Sequence, residues 1–429
     1  MKKFIAIFLF LVSCLLSLSA HAAPDDCPAL KPDNTLRDII EIGLCRNPQT
    51  AASYLSARAA GFSKNAAYSQ YLPNVAANAS DSTMDRGAVK FGDHWDQSAS
   101  ISASILIFDF GKRYANLSQL ESAWRATGFD YAESVQNYVF SVIGAYYGLL
   151  TADADARANA DMLRVATEAK ATADKKFKAG AVARADVLRA DTILAGRRTD
   201  LQRSEGAREI AVAKLLSLLS FEPGTEIKIS DMPAEFGSAT EINDIRELIE
   251  TAQKNRPDLR AAAAATDAAR HARNAAFLQH MPSITATGSI GYDLNTEVRD
   301  TSVGVRATMP IFTGFQNYYN DRRALAQYDM ARERERAKLD AARLDVWTAF
   351  QNYKTAREVL ESTNALLKSA TESEKVVGGM YRVGRSTMLD WQTAQADLAS
   401  AWKQNASAKY DLFIKRAALA MSIGDLNGK

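Results

Sequence analysis

The two halves of this chain carry the same landmarks in the same order. Arg46-Asn47-Pro48 opens a segment that closes at Tyr71-Leu72-Pro73. Asn255-Arg256-Pro257 opens one that closes at His280-Met281-Pro282, with the same proline-to-proline separation. Ile107-Phe108-Asp109 is matched by Ile311-Phe312-Thr313, and Phe177-Lys178-Ala179-Gly180 by Tyr381-Arg382-Val383-Gly384. Asp186 and Asp390 follow the two glycines at one common offset. A single long period present twice predicts two structurally equivalent halves rather than a solenoid of short repeats.

Each half reads as the same series of parts. A helix bounded by prolines comes first, roughly 48–71 and 257–280, because proline suits the first helical turn and ends a helix that it follows. Alternation comes next. Ser98, Ser100, Ser102 and Ser104 interleave with Ala99, Ile101, Ala103, Ile105 and Ile107, and the same period of two runs through 284–292 and 302–309, with a weaker strand from Val75. One apolar and one small-polar face is strand sequence. It suits a half-buried soluble sheet, and it also suits a membrane barrel with lipid outside and water inside. Arg306 lies on the polar face, where it would meet a barrel lumen or plain solvent.

Proline-free stretches of about 60 residues follow, from Gly111 and from Phe315; as helix, each would reach roughly 90 Å. A second long helix is expected after each turn, about 184–219 and 386–423. Such lengths belong to coiled coils or extended bundles. Trp391, Leu398, Asn405, Leu412 and Leu419 recur every seventh residue beside Ala394, Ala401 and Ala408, a seam that permits close helix approach. The first-half seam, Val187, Leu194, Leu201 and Leu215, is broken by Arg208.

The N-terminus reads as an export signal over 1–22: Lys2 and Lys3, an apolar core, then Ala20-His21-Ala22. Leu11-Val12-Ser13-Cys14 resembles a lipoprotein box, but the apolar run continues past Cys14 to the A-x-A site, which favours ordinary cleavage. Two cysteines remain, Cys27 and Cys45, the count for one disulfide in an oxidising compartment, worth about 3 kcal/mol. The remaining expected parts are an N-terminal segment 23–47, a first repeat 48–220, a linker 221–245 and a second repeat 246–429. A formal net charge of +2, with 24% charged residues and no basic cluster interleaved with aromatics, argues against a nucleic-acid partner. His94, His271 and His280 fall at no metal-ligand spacing, and no phosphate loop or nucleophile–base context supports catalysis; no cofactor is expected.

Four strands cannot close a barrel. Membrane barrels need at least about eight, because open edges in lipid leave backbone groups unpaired. If the strands span a membrane, copies of the chain must share the barrel; two or three would both close it.

The duplicated helix–hairpin–long-helix layout, the proline-bounded first helix and the FxxG…D turns resemble the TolC-type outer membrane factor family over about 36–423. The resemblance implies a mainly α fold with a membrane β component. It implies a homotrimer with a twelve-stranded β-barrel continued by a periplasmic α-helical tunnel. It further implies an exit duct in outer-membrane lipid, working with a periplasmic adaptor and an ABC or proton-driven inner-membrane transporter, in protein secretion or drug efflux. The Cys27-Pro28 and Leu44–Pro48 elements resemble the type I protein-secretion branch. The competing reading is a periplasmic coiled-coil adaptor without a barrel, which explains the helices but not the duplicated hairpins.

The same resemblance puts the two turns at the periplasmic aperture. Asp186 and Tyr381 fall on linked gate positions, and Asp390 on the first of two acidic ring positions. The usual gate arginine position is Ser386 here, so Arg385 would have to act from one place earlier. The second ring acid is Thr393, so cation block should be weaker. The residues also admit a local reading. Gly180 and Gly384 suit helix C-terminal turns, and acids at the next helix start are favoured by its dipole, with Ser386 as cap.

Overall fold

A computed structural model describes residues 27–83, 95–231, 244–294 and 297–426. The signal segment, Cys14 and Phe91 lie outside these, as does the side chain of Trp95. The element order is α1 (Leu36–Arg46), α2 (Pro48–Tyr68), β1 (Asn74–Thr83), β2 (Trp95–Phe108), α3 (Lys112–Lys178), α4 (Arg184–Leu218), α5 (Ile245–Asn255), α6 (Pro257–Phe277), β3 (Ser283–Asp293), β4 (Arg299–Thr308), α7 (Gln316–Arg382) and α8 (Met388–Ser422). The halves match element for element: α2 and α6 have 21 residues each, α3 and α7 have 67, and α4 and α8 have 35. Pro48 and Pro257 occupy the first turns of α2 and α6.

The strands form one antiparallel sheet ordered β1-β2-β3-β4. Register carries the alternation across all four strands. Val75 pairs with Ala103, Ala103 with Gly288, and Gly288 with Val303; Asn74, Ser104, Thr287 and Gly304 form the adjacent row on the other face. One face is thus mainly alanine, valine and isoleucine, with Gly288 and Tyr292 among them; the other is mainly serine, threonine, asparagine and glycine. Hydroxyl pairs bridge strands on the polar face, Ser80 to Ser98 and Ser289 to Ser302, each at 2.8 Å. The apolar face has no cover: Val303 is 88% exposed and Ile101 60%. β1 and β4 are both edges, and β4 is exposed along its whole length.

Strand passes to helix through a sharp turn of two consecutive left-handed residues. In the first half these are Phe110 (φ 55°) and Gly111 (φ 91°); in the second, Gly314 (φ 62°) and Phe315 (φ 66°). The order of glycine and phenylalanine is reversed, yet the path is the same. A non-glycine residue there costs roughly 1–2 kcal/mol, which the surrounding contacts must offset. In the first half they are dense. Arg113 donates from Nη1 to the Leu106 carbonyl at 2.6 Å, from Nη2 to that of Ile107 at 3.1 Å, and from Nε to Asp109 at 3.2 Å, under the Tyr71 ring.

The long helices pack as two antiparallel hairpins, α3 with α4 and α7 with α8, and α3 also contacts α8. By the 1.5 Å helical rise, α3 spans about 100 Å. Ala394, Ala401 and Ala408 are buried as the seam requires. The seam polar residues are partnered: Asn405 donates to Asn364 at 2.7 Å, and Arg208, the first-half interruption, meets Asp153 of α3 at 3.0 Å. The thickest core lies midway, where Tyr146, Tyr147, Leu215 and Leu219 meet Ile39 of α1, Tyr410 and Ala417. Cys27 and Cys45 are disulfide-bonded, tying the approach to α1 to its last turn. Between α3, α6 and α7, Arg256 binds Asp258 through two nitrogens at 2.8 and 3.0 Å and reaches Asp345 at 3.1 Å. Burial alone would raise the Asp258 carboxyl, but Arg256 outweighs it and holds it below its ordinary range.

Candidate functional site

The two sequence-predicted turns are the tips of the two helical hairpins. Each ends its first helix in the same way. Gly180 (φ 71°) and Gly384 (φ 80°) adopt the left-handed conformation that closes a C-terminus. The next amide then reaches back, Ala181 to the Lys176 carbonyl and Arg385 to the Met380 carbonyl, both at 2.8 Å.

The helix starts differ. α4 begins after Ala183, which supplies no side-chain cap. α8 begins with a capping box: Thr387 Oγ1 accepts from the Asp390 amide at 3.1 Å, and Asp390 Oδ2 accepts from the Thr387 amide at 3.0 Å and its hydroxyl at 2.6 Å. Thr387, not Ser386, is therefore the cap; Ser386 instead donates to the Asp390 carboxylate at 3.1 Å. The Thr387 hydroxyl and amide, then Ser386, hold Asp390 ionised below the usual carboxylate range.

The tips also differ in their aromatics. Phe177 is exposed; its counterpart Tyr381 is buried and stacks on Trp391 with ring centroids 5.0 Å apart. Trp391 donates from Nε1 to Glu374 at 2.9 Å. Its indole lies against Gly378, where an added Cβ would come within 2.7 Å of Nε1. Lys176 of the first hairpin covers the Tyr381 ring at 4.1 Å and donates to the Tyr381 carbonyl at 2.6 Å. Ala169, Ala173, Ala190 and Met388 complete this cluster, so both hairpins share one small core at their tips.

Among the gate residues expected from the sequence, Asp186 and Tyr381 come within electrostatic reach. Burial, then the Asp186 charge, push the Tyr381 phenol up, although its Oη has no hydrogen-bond partner. Arg385 stands exposed with no ion pair among the described residues, and Asp390 faces its own cap. Lys176, Glu374 and Gly378 were not foreseen. The Gly378-Gly379 pair inside a long helix was the available signal, since a helical glycine needs a packing reason.

At the other end, Arg306 falls on the polar sheet face, in register with Thr285 and through it with Leu106. Exposed aromatics gather where strands meet helices: Tyr71, Phe108, Phe110, Phe312, Phe315 and Tyr319. In the sequence, Phe91, Trp95 and Tyr292 suit either an interfacial aromatic belt or packing near loops; of their side chains that of Tyr292 is described, half-exposed on the apolar face near the far end of the sheet. Among the described residues no helix is long and apolar enough to cross a membrane, and no metal-binding group is present.

Comparison with known proteins gives one consistent answer. The family model described as outer membrane efflux protein matches residues 39–220 and 248–425. Protein CyaE of Bordetella pertussis is 25% identical over 409 residues, covering 92% of this chain and 85% of its own. The outer membrane protein TolC of Escherichia coli is 24% identical over 429 residues, covering 93% and 84%. The structure of the outer-membrane channel OprN superposes with a TM-score of 0.80 at 21% identity, covering 95% of this chain and 98% of that one. VceC from Vibrio cholerae superposes with a TM-score of 0.79 at 18% identity, covering 91% and 96%.

Proposed function

From the chain's membership of the outer membrane efflux protein family, we propose that three copies form the exit duct of a tripartite export system. The family is one of outer-membrane channels rather than enzymes, with the helical part in the periplasm. The duct receives its cargo from an inner-membrane transporter through a periplasmic adaptor, in type I protein secretion or multidrug efflux. It does no chemistry on what it passes.

The observation that carries this reading is the four-stranded sheet with an uncovered apolar face and two free edges. Neither survives alone in water or lipid. Apolar residues outward and hydroxyls inward satisfy lipid and lumen, and pairing β4 of one copy with β1 of the next removes every edge. Arg306 then faces the lumen near its periplasmic end. The aromatics at the strand–helix junction suit the membrane–water boundary, where amphipathic rings settle.

The hairpin tips are the gate. The shared core around Tyr381 and Trp391 holds the two hairpins together, and parting them widens the entrance. Asp186 and Asp390 act at this aperture, the first beside Tyr381, the second as one carboxylate of a threefold ring. Planar-bilayer conductance of the wild type, Asp186→Ala and Asp390→Ala tests the assignment. Increased conductance in the first and weakened block by divalent cations in the second are expected; two variants indistinguishable from wild type contradict it.

A further inference from the structure

The two hairpin tips lie side by side, because Lys176 bonds the Tyr381 carbonyl and covers its ring. Their charges therefore add. The first tip, 175–189, carries Lys175, Lys176, Lys178, Arg184 and Arg189 against Asp186 alone; the second, 382–390, carries Arg382 and Arg385 against Asp390. Lys175, Lys178, Arg184, Arg189 and Arg385 are exposed, and none has an ion pair among the described residues.

Helix stability does not account for this excess. Lysines in the last turn of α3 suit its dipole, but Arg184 is the first residue of α4, where the dipole disfavours a cation. The nearest acids further in are already engaged: Asp174 and Asp191 share Lys170 at 2.7 and 3.2 Å, and Glu374 accepts from Trp391. Thr393 stands where a second ring acid was sought, and its hydroxyl donates to the Leu389 carbonyl one turn back at 3.1 Å.

We propose that the periplasmic mouth of the duct is electropositive, and that it admits anions and acidic stretches of cargo in preference to cations. The inference rests on the channel reading above. Side-by-side tips bring the free cations to one mouth, and charge acts over a Debye length of about 8 Å at physiological salt. A mouth lined by one sign of charge raises the local concentration of the opposite ion. Asp186 and Asp390 reduce the excess without reversing it.

The test is the reversal potential of the full-length protein in planar bilayers under a potassium chloride gradient. Wild type is expected to reverse on the chloride side, with the preference fading as salt rises and screens the tips. The variant Lys178→Gln, Arg184→Gln, Arg189→Gln, Arg385→Gln should shift the permeability ratio several-fold toward potassium. Lys415→Gln, beside the central core, should leave it unchanged. Conducting wild-type channels that prefer potassium overturn the inference and leave the channel reading intact, as does a quadruple variant with an unmoved reversal potential. Bilayers that stay silent at every voltage overturn the channel reading, and the inference with it.

Discussion

Lys176 Nζ donates a 2.6 Å hydrogen bond to the Tyr381 carbonyl and sits 4.1 Å from the centre of the same residue's ring. One cation on the first hairpin thus grips both backbone and side chain of the second. The contact is half-buried, where a cation–π pair and a charged hydrogen bond are each worth about 1–2 kcal/mol. Lys176→Ala should therefore loosen the tips without unfolding the helices. We expect more frequent or larger conductance openings at unchanged assembly size; a wild-type conductance trace from Lys176→Ala would show that the tips are held by other contacts.

Gly378 tests the same cluster from the other side. Alanine in a helix interior is favoured over glycine by about 1 kcal/mol, while overpacking costs about 1–3 kcal/mol, so the net stability change is small. Position of the indole is the better readout. Gly378→Ala should displace Trp391 from Tyr381 and Glu374, seen as a red shift in the Trp391 fluorescence component isolated against Trp391→Phe. An unshifted component would mean that α7 and α8 move apart together.

Arg113 welds β2 to α3. Its ion pair with Asp109 is buried, and the same guanidinium satisfies strand carbonyls. Arg113→Ala leaves a buried carboxylate unpaired, a loss of about 3 kcal/mol. The expected result is a lower dissociation temperature for the assembly in detergent. Asn317, its second-half counterpart, makes one 3.4 Å amide contact to Thr313, so Asn317→Ala should change that temperature little.

Glu133 supplies the pH dependence. Burial, then repulsion from Asp258, raise its carboxyl above the ordinary value of 4.5. The protonated form therefore contributes stability that is fully present below that value and is lost as pH rises through the folded one. Glu133→Gln should stabilise the protein at neutral pH and flatten its stability profile on the alkaline side of 4.5. Denaturant midpoints of the two proteins between pH 4 and 8, if parallel, would contradict this.

Much of the architecture was readable because repetition is a strong signal. Equal spacing between Pro48 and Pro73 and between Pro257 and Pro282 foretold paired helices, and the alternation around Ile101 foretold the strand and its faces. Helix ends were less legible: Thr387 and Ser386 are both good caps, and only backbone geometry chooses between them. The tip cluster was least legible. Lys176 reads as a helix-end lysine, and Trp391 as a seam residue, until folding brings hairpins more than 200 residues apart into contact. Arg385 shows the converse limit. It neighbours a gate position in the sequence, yet in the folded chain it points to no acidic partner.

The central claim is that the uncovered four-stranded sheet is one part of a barrel shared between copies. Native mass spectrometry of the full-length protein extracted from outer membranes tests this most directly. The prediction is a particle of three chains, which dissociates to monomers only on unfolding. A folded single chain in detergent, or an assembly of any other copy number, would contradict it.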